Sequence, residues 1–229
     1  MPDTALIIMA RYPEAGKTKT RLARTLGAAE VARLYRAFLT DLARRFAGPH
    51  YALHWAYTPA DADYQAFVQT LAPEQAQYMH SFPQQGSDFG ARLLNAFQWT
   101  HDQGYQRTIL IGSDSPQISG ELIAQAEAAL DEADLVLGPA EDGGYYLIAM
   151  RQPHDVFSGI PMSTDVVARM TLEAAARQNL TTRLLDPLFD IDELPDLLRL
   201  AHLLEANSAR APATAAYLTN AFSLDLRRF

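Results

Sequence analysis

Short apolar runs alternate along the chain with longer segments in which apolar positions recur every three or four residues. Ala5–Ala10 is unbroken in its apolar character, as expected of a strand buried on both faces. After Gly27, residues Val31, Leu34, Tyr35, Phe38, Leu42 and Phe46 fall on one side of a 3.6-residue period and predict a long amphipathic helix. The same reading predicts strands over Tyr51–Tyr57, Gln77–His80, Thr108–Gly112, Asp134–Leu137, Tyr145–Met150 and Thr182–Leu185. Between them it predicts helices over Asp61–Leu71, from Asp88 to about His101, over Gly120–Leu130, from a Ser163 cap to about Gln178, and over Glu193–Glu205. From Asn207 onward the chain is Ala-rich with Pro212, and the pattern assigns no definite element.

Strands separated by helices of this length imply βαβ units and a mostly parallel sheet, so the fold class is α/β. A length of 229 residues with 48% hydrophobic residues suits a single domain over 1–229, with no repeat or linker in sight. The absence of cysteine excludes disulfides, thiolate metal sites and a cysteine nucleophile. A net charge of −8 argues against broad binding to nucleic acid or to an anionic membrane. The apolar run at the N-terminus is too short for a signal sequence, and no stretch approaches the ~20 apolar residues of a membrane span. A soluble cytoplasmic protein is the expectation, and a homo-oligomer is compatible with it.

In open α/β sheets ligands bind at the carboxyl ends of the strands, so the loops there are where chemistry is sought. The first of them carries five of the 19 basic residues, between Arg11 and Arg24, and both lysines of the chain, Lys17 and Lys19. Gly16-Lys17-Thr18 imitates the end of a P-loop, but that motif needs glycine where Arg11 stands. A flexible Gly16 with Arg11, Lys17, Lys19 and Arg21 at a strand end suits diphosphate or triphosphate oxygens. A solvated basic turn is the plainer alternative.

Ser113-Asp114-Ser115-Pro116 follows the fourth predicted strand. Asp114 is placed either to hold Mg²⁺ or Mn²⁺ through oxygen or to open a helix-initiating turn. Asp142-Gly143-Gly144 supplies a second carboxylate and a backbone that a ligand can approach closely, and it is also a hairpin signal. Asp190-Ile191-Asp192 either completes a metal site or lets Asp192 cap the next helix. Gly86 and Asp88 open a helix whose N–H groups can meet phosphate or base edges, with simple capping by Ser87 or Asp88 as the alternative. The six histidines show no metal spacing, and no nucleophile elbow is present.

Taken in order, Lys19-Thr20-Arg21-Leu22, Gly112-Ser113-Asp114-Ser115-Pro116, Gly138-Pro139-Ala140-Glu141-Asp142-Gly143-Gly144-Tyr145-Tyr146, Ser163-Thr164-Asp165 and Asp190-Ile191-Asp192 resemble the nucleotide-diphospho-sugar transferase superfamily. Within it the chain looks most like a bacterial glycosyltransferase family related to the guanylyltransferases for phospholactate and for molybdopterin. The resemblance runs from about residue 5 to 218. It implies the type A glycosyltransferase fold, a three-layer α/β/α sandwich with a Rossmann-like, mostly parallel sheet. It further implies a divalent metal on Asp114 and nucleotide binding by the first loop. Ser113-Asp114-Ser115 stands where many members carry Asp-x-Asp.

These observations lead first to a metal-dependent transferase using a nucleotide-diphosphate sugar. Mg²⁺ or Mn²⁺ on Asp114, helped by Asp142 or Asp192, would bridge the diphosphate beside Lys17, Lys19 and Arg21. Asp142 is a candidate base by position alone. The alternative is a nucleotidyltransferase that joins a nucleoside triphosphate to a small phosphorylated acceptor and releases pyrophosphate. One scaffold hosts both reactions. A nucleotide-binding protein without turnover is the third reading.

Overall fold

The computed structural model describes residues 2–222. Seven strands, β1 (Thr4–Arg11), β2 (Ala52–Thr58), β3 (Met79–Pro83), β4 (Arg107–Gly112), β5 (Leu135–Pro139), β6 (Tyr145–Met150) and β7 (Thr182–Leu184), form one sheet in the order β3-β2-β1-β4-β6-β5-β7. Every neighbouring pair is parallel except those of β6, which runs antiparallel to both β4 and β5. The helices are α1 (Thr20–Leu26), α2 (Ala28–Phe46), α3 (Tyr64–Gln69), α4 (Phe89–Asp102), α5 (Gly120–Ala129), α6 (Val167–Arg177), α7 (Leu194–Ala206) and α8 (Pro212–Phe222).

The unbroken apolar run of β1 has a direct physical cause. Leu6, Ile8 and Ala10 enter one apolar cluster with Leu34, Phe38, Ile123 and Leu200, whereas Ile7 and Met9 enter a second with Leu93, Phe97 and Ala175. Helices therefore cover both faces of the sheet. The first face takes α1, α2, α3, α5, α7 and α8, and the second takes α4 and α6, giving the expected three layers.

The expected strands and most of the expected helices are present. The differences are local. The Ser163 cap is replaced: Ser163 lies at a left-handed φ of 65°, and α6 begins only at Val167, after Val166. The helix α1, inside the basic loop, is unforeseen, because its charged residues mask the single buried Leu22. The segment over Asp61–Leu71 holds a helix of only 6 residues, opened by the Asp63 carboxylate accepting from the Ala66 N–H at 3.2 Å. The stretch after Asn207 forms a 3-10 turn over Ser208–Arg210 and then α8.

A buried carboxylate on α2 fixes α8. Asp41 is 2% exposed and accepts from the Ala213 N–H at 2.7 Å, the Thr214 N–H at 2.8 Å and the Thr214 hydroxyl at 2.6 Å. Helix-opening N–H groups that lack such an acceptor are costly to bury. Asp41→Ala should lower unfolding stability by about 2–3 kcal/mol, read from the urea midpoint; an unchanged midpoint would rule out this anchor.

On β2, His54 is buried and shares a hydrogen bond of 3.1 Å between Nε2 and the Tyr105 hydroxyl. Burial first, and nearby His80 second, lower its pKa from 6.5 to about 4. The folded chain thus binds fewer protons at His54 than the unfolded chain between those two values. Its contribution is full above about pH 6.5 and is lost as pH falls towards 4. His54→Gln should flatten the fall in thermal stability across this window, and a slope equal to that of the wild type would refute the assignment.

Candidate active site

The first loop leaves β1 at Arg11 and is pinned from within. The Thr18 hydroxyl, buried, donates to the carbonyls of Tyr12 at 3.2 Å and Glu14 at 3.3 Å. The backbone then takes a left-handed turn at Lys19, with φ 43° and ψ 56°, immediately before α1. Glycine or asparagine adopts such a conformation most readily, and a lysine held there is held by its surroundings.

Those surroundings are three acceptors. The Lys19 ammonium lies 2.6 Å from Asp114 Oδ1, 2.5 Å from the Ile191 carbonyl and 3.4 Å from Asp192 Oδ1, so each of its three protons has a partner. Its side chain is 4% exposed, whereas the two carboxylates are about half exposed. Burial opposes the ammonium, but Asp114 and Asp192, with Asp190 behind them, outweigh that cost and hold the Lys19 pKa above its ordinary value. Arg21 adds a longer contact to Asp192, at 3.8 Å.

The loop after β4 is stitched to the segment before α7. The Ile191 N–H donates to the Asp114 carbonyl at 3.1 Å. The Ser115 hydroxyl and the Gln117 amide donate to the Phe189 carbonyl at 3.2 and 2.7 Å. Beneath them the Tyr35 hydroxyl pairs with the Ser113 hydroxyl at 2.7 Å and accepts from the Arg11 N–H at 3.2 Å. Burial, with Asp114 nearby, raises the Tyr35 pKa and keeps it a neutral hydrogen-bonding group. Glu193 and Asp196 form the capping box of α7, with Asp196 accepting from the Asp192 and Glu193 N–H groups at 3.1 and 2.8 Å, so the Asp192 side chain faces the cleft instead of capping.

A cleft of about 600 Å³ opens above these loops. Arg11, Lys17, Lys19, Arg21, Asp114 and Asp192, all singled out by their sequence position, line it. Gly16, Gly86 and Asp88 do not. Asp88 is a cap, accepting from the Ala91 N–H at 2.9 Å, and an added Cβ at Gly86 would meet the Arg92 nitrogen at 2.7 Å. That turn presents Gln84, Phe89 and Arg92 to the cleft instead. Their signal in the sequence is faint, because Phe89 resembles a core residue of α4 yet is 46% exposed.

A second cavity of about 210 Å³ adjoins the first, lined by Asp142, Gly144 and Asp190 among others. Arg21, Phe89, Ser163 and Asp192 border both. Asp142 Oδ1 accepts from the Gly144 N–H at 2.8 Å in the turn that joins β5 to β6. Gly143 is needed for packing: its φ is 91°, and an added Cβ would lie 2.1 Å from the Asp165 carbonyl oxygen. Burial chiefly, then the negative charges of Asp142 and Asp192, raise the Asp190 pKa to about 6.

Among the described residues no three His, Cys, Asp or Glu side chains converge as a ready metal cage. Asp114 and Asp192 nevertheless already reach a single cation, the ammonium of Lys19. Two carboxylates with room for phosphate oxygens and water fit the way Mg²⁺ is commonly held, so the donor set suits a hard divalent ion.

Known proteins resemble the chain in both fold and sequence. A solved structure from Desulfovibrio desulfuricans G20, provisionally assigned as a nucleotide-diphospho-sugar transferase, is 38% identical, with a TM-score of 0.89 over 100% of this chain and 98% of that one. A cytidylyltransferase from Leptospira borgpetersenii shares the fold, with a TM-score of 0.58 at 11% identity over 97% and 96% of the two chains. The phosphoenolpyruvate guanylyltransferase of Chloroflexus aggregans is 30% identical over 122 residues, 52% of this chain and 59% of its own length. The match thus spans little more than half of that relative.

The sheet, the strand-end cleft and these relatives together place the chain on the nucleotide-diphospho-sugar transferase fold. The chain belongs to the bacterial family DUF2064, described as an uncharacterized protein conserved in bacteria, whose family model matches residues 42–164.

Gly143→Ala should cost at least about 2 kcal/mol, because a left-handed backbone and a carbonyl contact are strained together. A melting temperature equal to that of the wild type would show that the turn re-forms without this contact.

Proposed function

We propose that the chain is a metal-dependent nucleotidyltransferase, joining a nucleoside triphosphate to a small anionic acceptor with release of pyrophosphate. The observation that carries this reading is the adjacency of two cavities: a larger cleft with Arg11, Lys17, Arg21 and Arg92 on its walls, and a smaller one beside Asp142 and Asp190. The larger accommodates a triphosphate, and the smaller an acceptor. Arg21, Phe89, Ser163 and Asp192, common to both, border the place where the two substrates would meet. The likeness to a guanylyltransferase supports the same reading.

In this reaction an acceptor oxygen attacks the α-phosphorus, and the bond to the bridging oxygen breaks. Pyrophosphate leaves with that electron pair. Arg11, Lys17 and Arg21 bind and orient the phosphates and balance the charge that grows on the leaving group. Asp114 and Asp192 hold a divalent metal, whose role when bound is to neutralise phosphate charge. Phe89 presents an apolar face where the two cavities meet. The attacking group is an anion, so the reaction needs no protein base.

Glycosyl transfer from a nucleotide sugar is the second reading, favoured by the assignment of the Desulfovibrio relative. Thermal-shift measurements with nucleoside triphosphates and nucleotide sugars, with and without Mn²⁺, separate the two. A triphosphate at 100 times its Kd should add about 2.7 kcal/mol of stability. Asp114→Asn should abolish the part of that gain that depends on metal. Stabilisation by nucleotide sugars and by no triphosphate would sink nucleotidyl transfer.

A further inference from the structure

Lys19 stands in the basic loop, where a lysine suits phosphate, but its ammonium is fully engaged elsewhere. It lies inside the acidic pair, 2.6 Å from Asp114 Oδ1 and 3.4 Å from Asp192 Oδ1, with the Ile191 carbonyl at 2.5 Å as its third partner. Its stem is buried, and the ammonium sits 5.9 Å from the centre of the Phe38 ring. The carboxylates, about half exposed, stay open to the cleft on their other side.

We propose that Lys19 is a resident counter-cation that keeps the Asp114–Asp192 pair from binding a divalent ion until a triphosphate arrives, so that metal and nucleotide bind as one cooperative event. This rests on the metal assignment proposed above for Asp114 and Asp192. Charge and space both oppose metal binding without nucleotide. A metal on Asp114 Oδ1 would stand within a few ångströms of the ammonium, and both would draw on the same oxygens, so metal alone faces repulsion and competition. A triphosphate changes both terms. It brings oxygens that the metal and the ammonium can share, and Lys19 then passes from carboxylate to phosphate while the metal takes the carboxylates. Without nucleotide, the ammonium also compensates the negative charge of Asp114 and Asp192, with Asp142 and Asp190 close by. The left-handed backbone at Lys19, φ 43°, is a conformation that its present acceptors help to hold.

The cooperativity is measurable without turnover. Mn²⁺ binding followed by electron paramagnetic resonance, in the absence of nucleotide, should be at least about tenfold tighter in Lys19→Met and Lys19→Gln than in the wild type, a coupling of ordinary size. Adding Asp114→Asn to either variant should abolish the gain. The two variants guard against a single misfolded protein, since their half-exposed carboxylates stay hydrated. The wild type supplies an independent reading. With ¹³C at lysine Cε the chain gives two signals, from buried Lys19 and exposed Lys17. Mg²⁺ alone should leave the Lys19 signal in place, and Mg²⁺ with the stabilising triphosphate should move it. Equal Mn²⁺ affinity in wild type and both variants, with Asp114→Asn still eliminating binding, would overturn the counter-cation role while sparing the metal assignment. Mn²⁺ binding that ignores Asp114→Asn in every background would overturn both.

Discussion

One ammonium among carboxylates organises the working end of this molecule. Lys19 comes from the loop after β1, Asp114 from the loop after β4, and Ile191 and Asp192 from the approach to α7. The three segments are far apart in the sequence, and the like charges of Asp114 and Asp192 would drive two of them apart. Losing both carboxylates would leave the buried Lys19 ammonium without compensation, which is far costlier than an exposed pair is worth. The backbone bond from the Ile191 N–H to the Asp114 carbonyl, and the paired donors on the Phe189 carbonyl, make the junction rigid enough for the ions to meet.

The supporting layers explain why that junction lies at the strand ends. The central strand β1 sends alternate side chains into two separate apolar clusters, and β4 beside it does the same with Ile109 and Ile111 against Leu110. The two strands pair in parallel from Thr4–Arg107 to Met9–Gly112, so their following loops open at the same edge of the sheet. The buried Tyr35–Ser113 pair adds a polar tie directly under the cleft, where an unsatisfied hydroxyl would be penalised.

Much of this was legible in the residue pattern, and the failures have physical reasons. Apolar runs announce strands because burial on both faces leaves no polar alternation, so β1, β4 and β6 are plain in the sequence. Periodicity does not encode pairing direction, and the antiparallel course of β6 follows from the tight turn at Asp142-Gly143-Gly144 rather than from the strand itself. Helix α8 depends on Asp41, more than 170 positions away, which no local window contains. At the site, the strand-end rule picked out Lys19, Asp114 and Asp192 individually. It could not foresee that a lysine would bind the carboxylates, since spacing carries no information on which cation reaches them. Asp88 and Gly86 have the composition of a ligand loop but meet local backbone needs, whereas Phe89 and Arg92 next to them line the cleft.

The start of α7 separates two duties that neighbouring acidic residues often share. Asp196 alone satisfies the N–H groups of Asp192 and Glu193, which frees the Asp192 carboxylate from any structural bond to its own helix. Secondary structure and chemistry at this corner are therefore written in different letters. A lineage could exchange residue 192 and change what the cleft accepts without unravelling the helix behind it, so the scaffold can drift towards new substrates while its architecture stays intact.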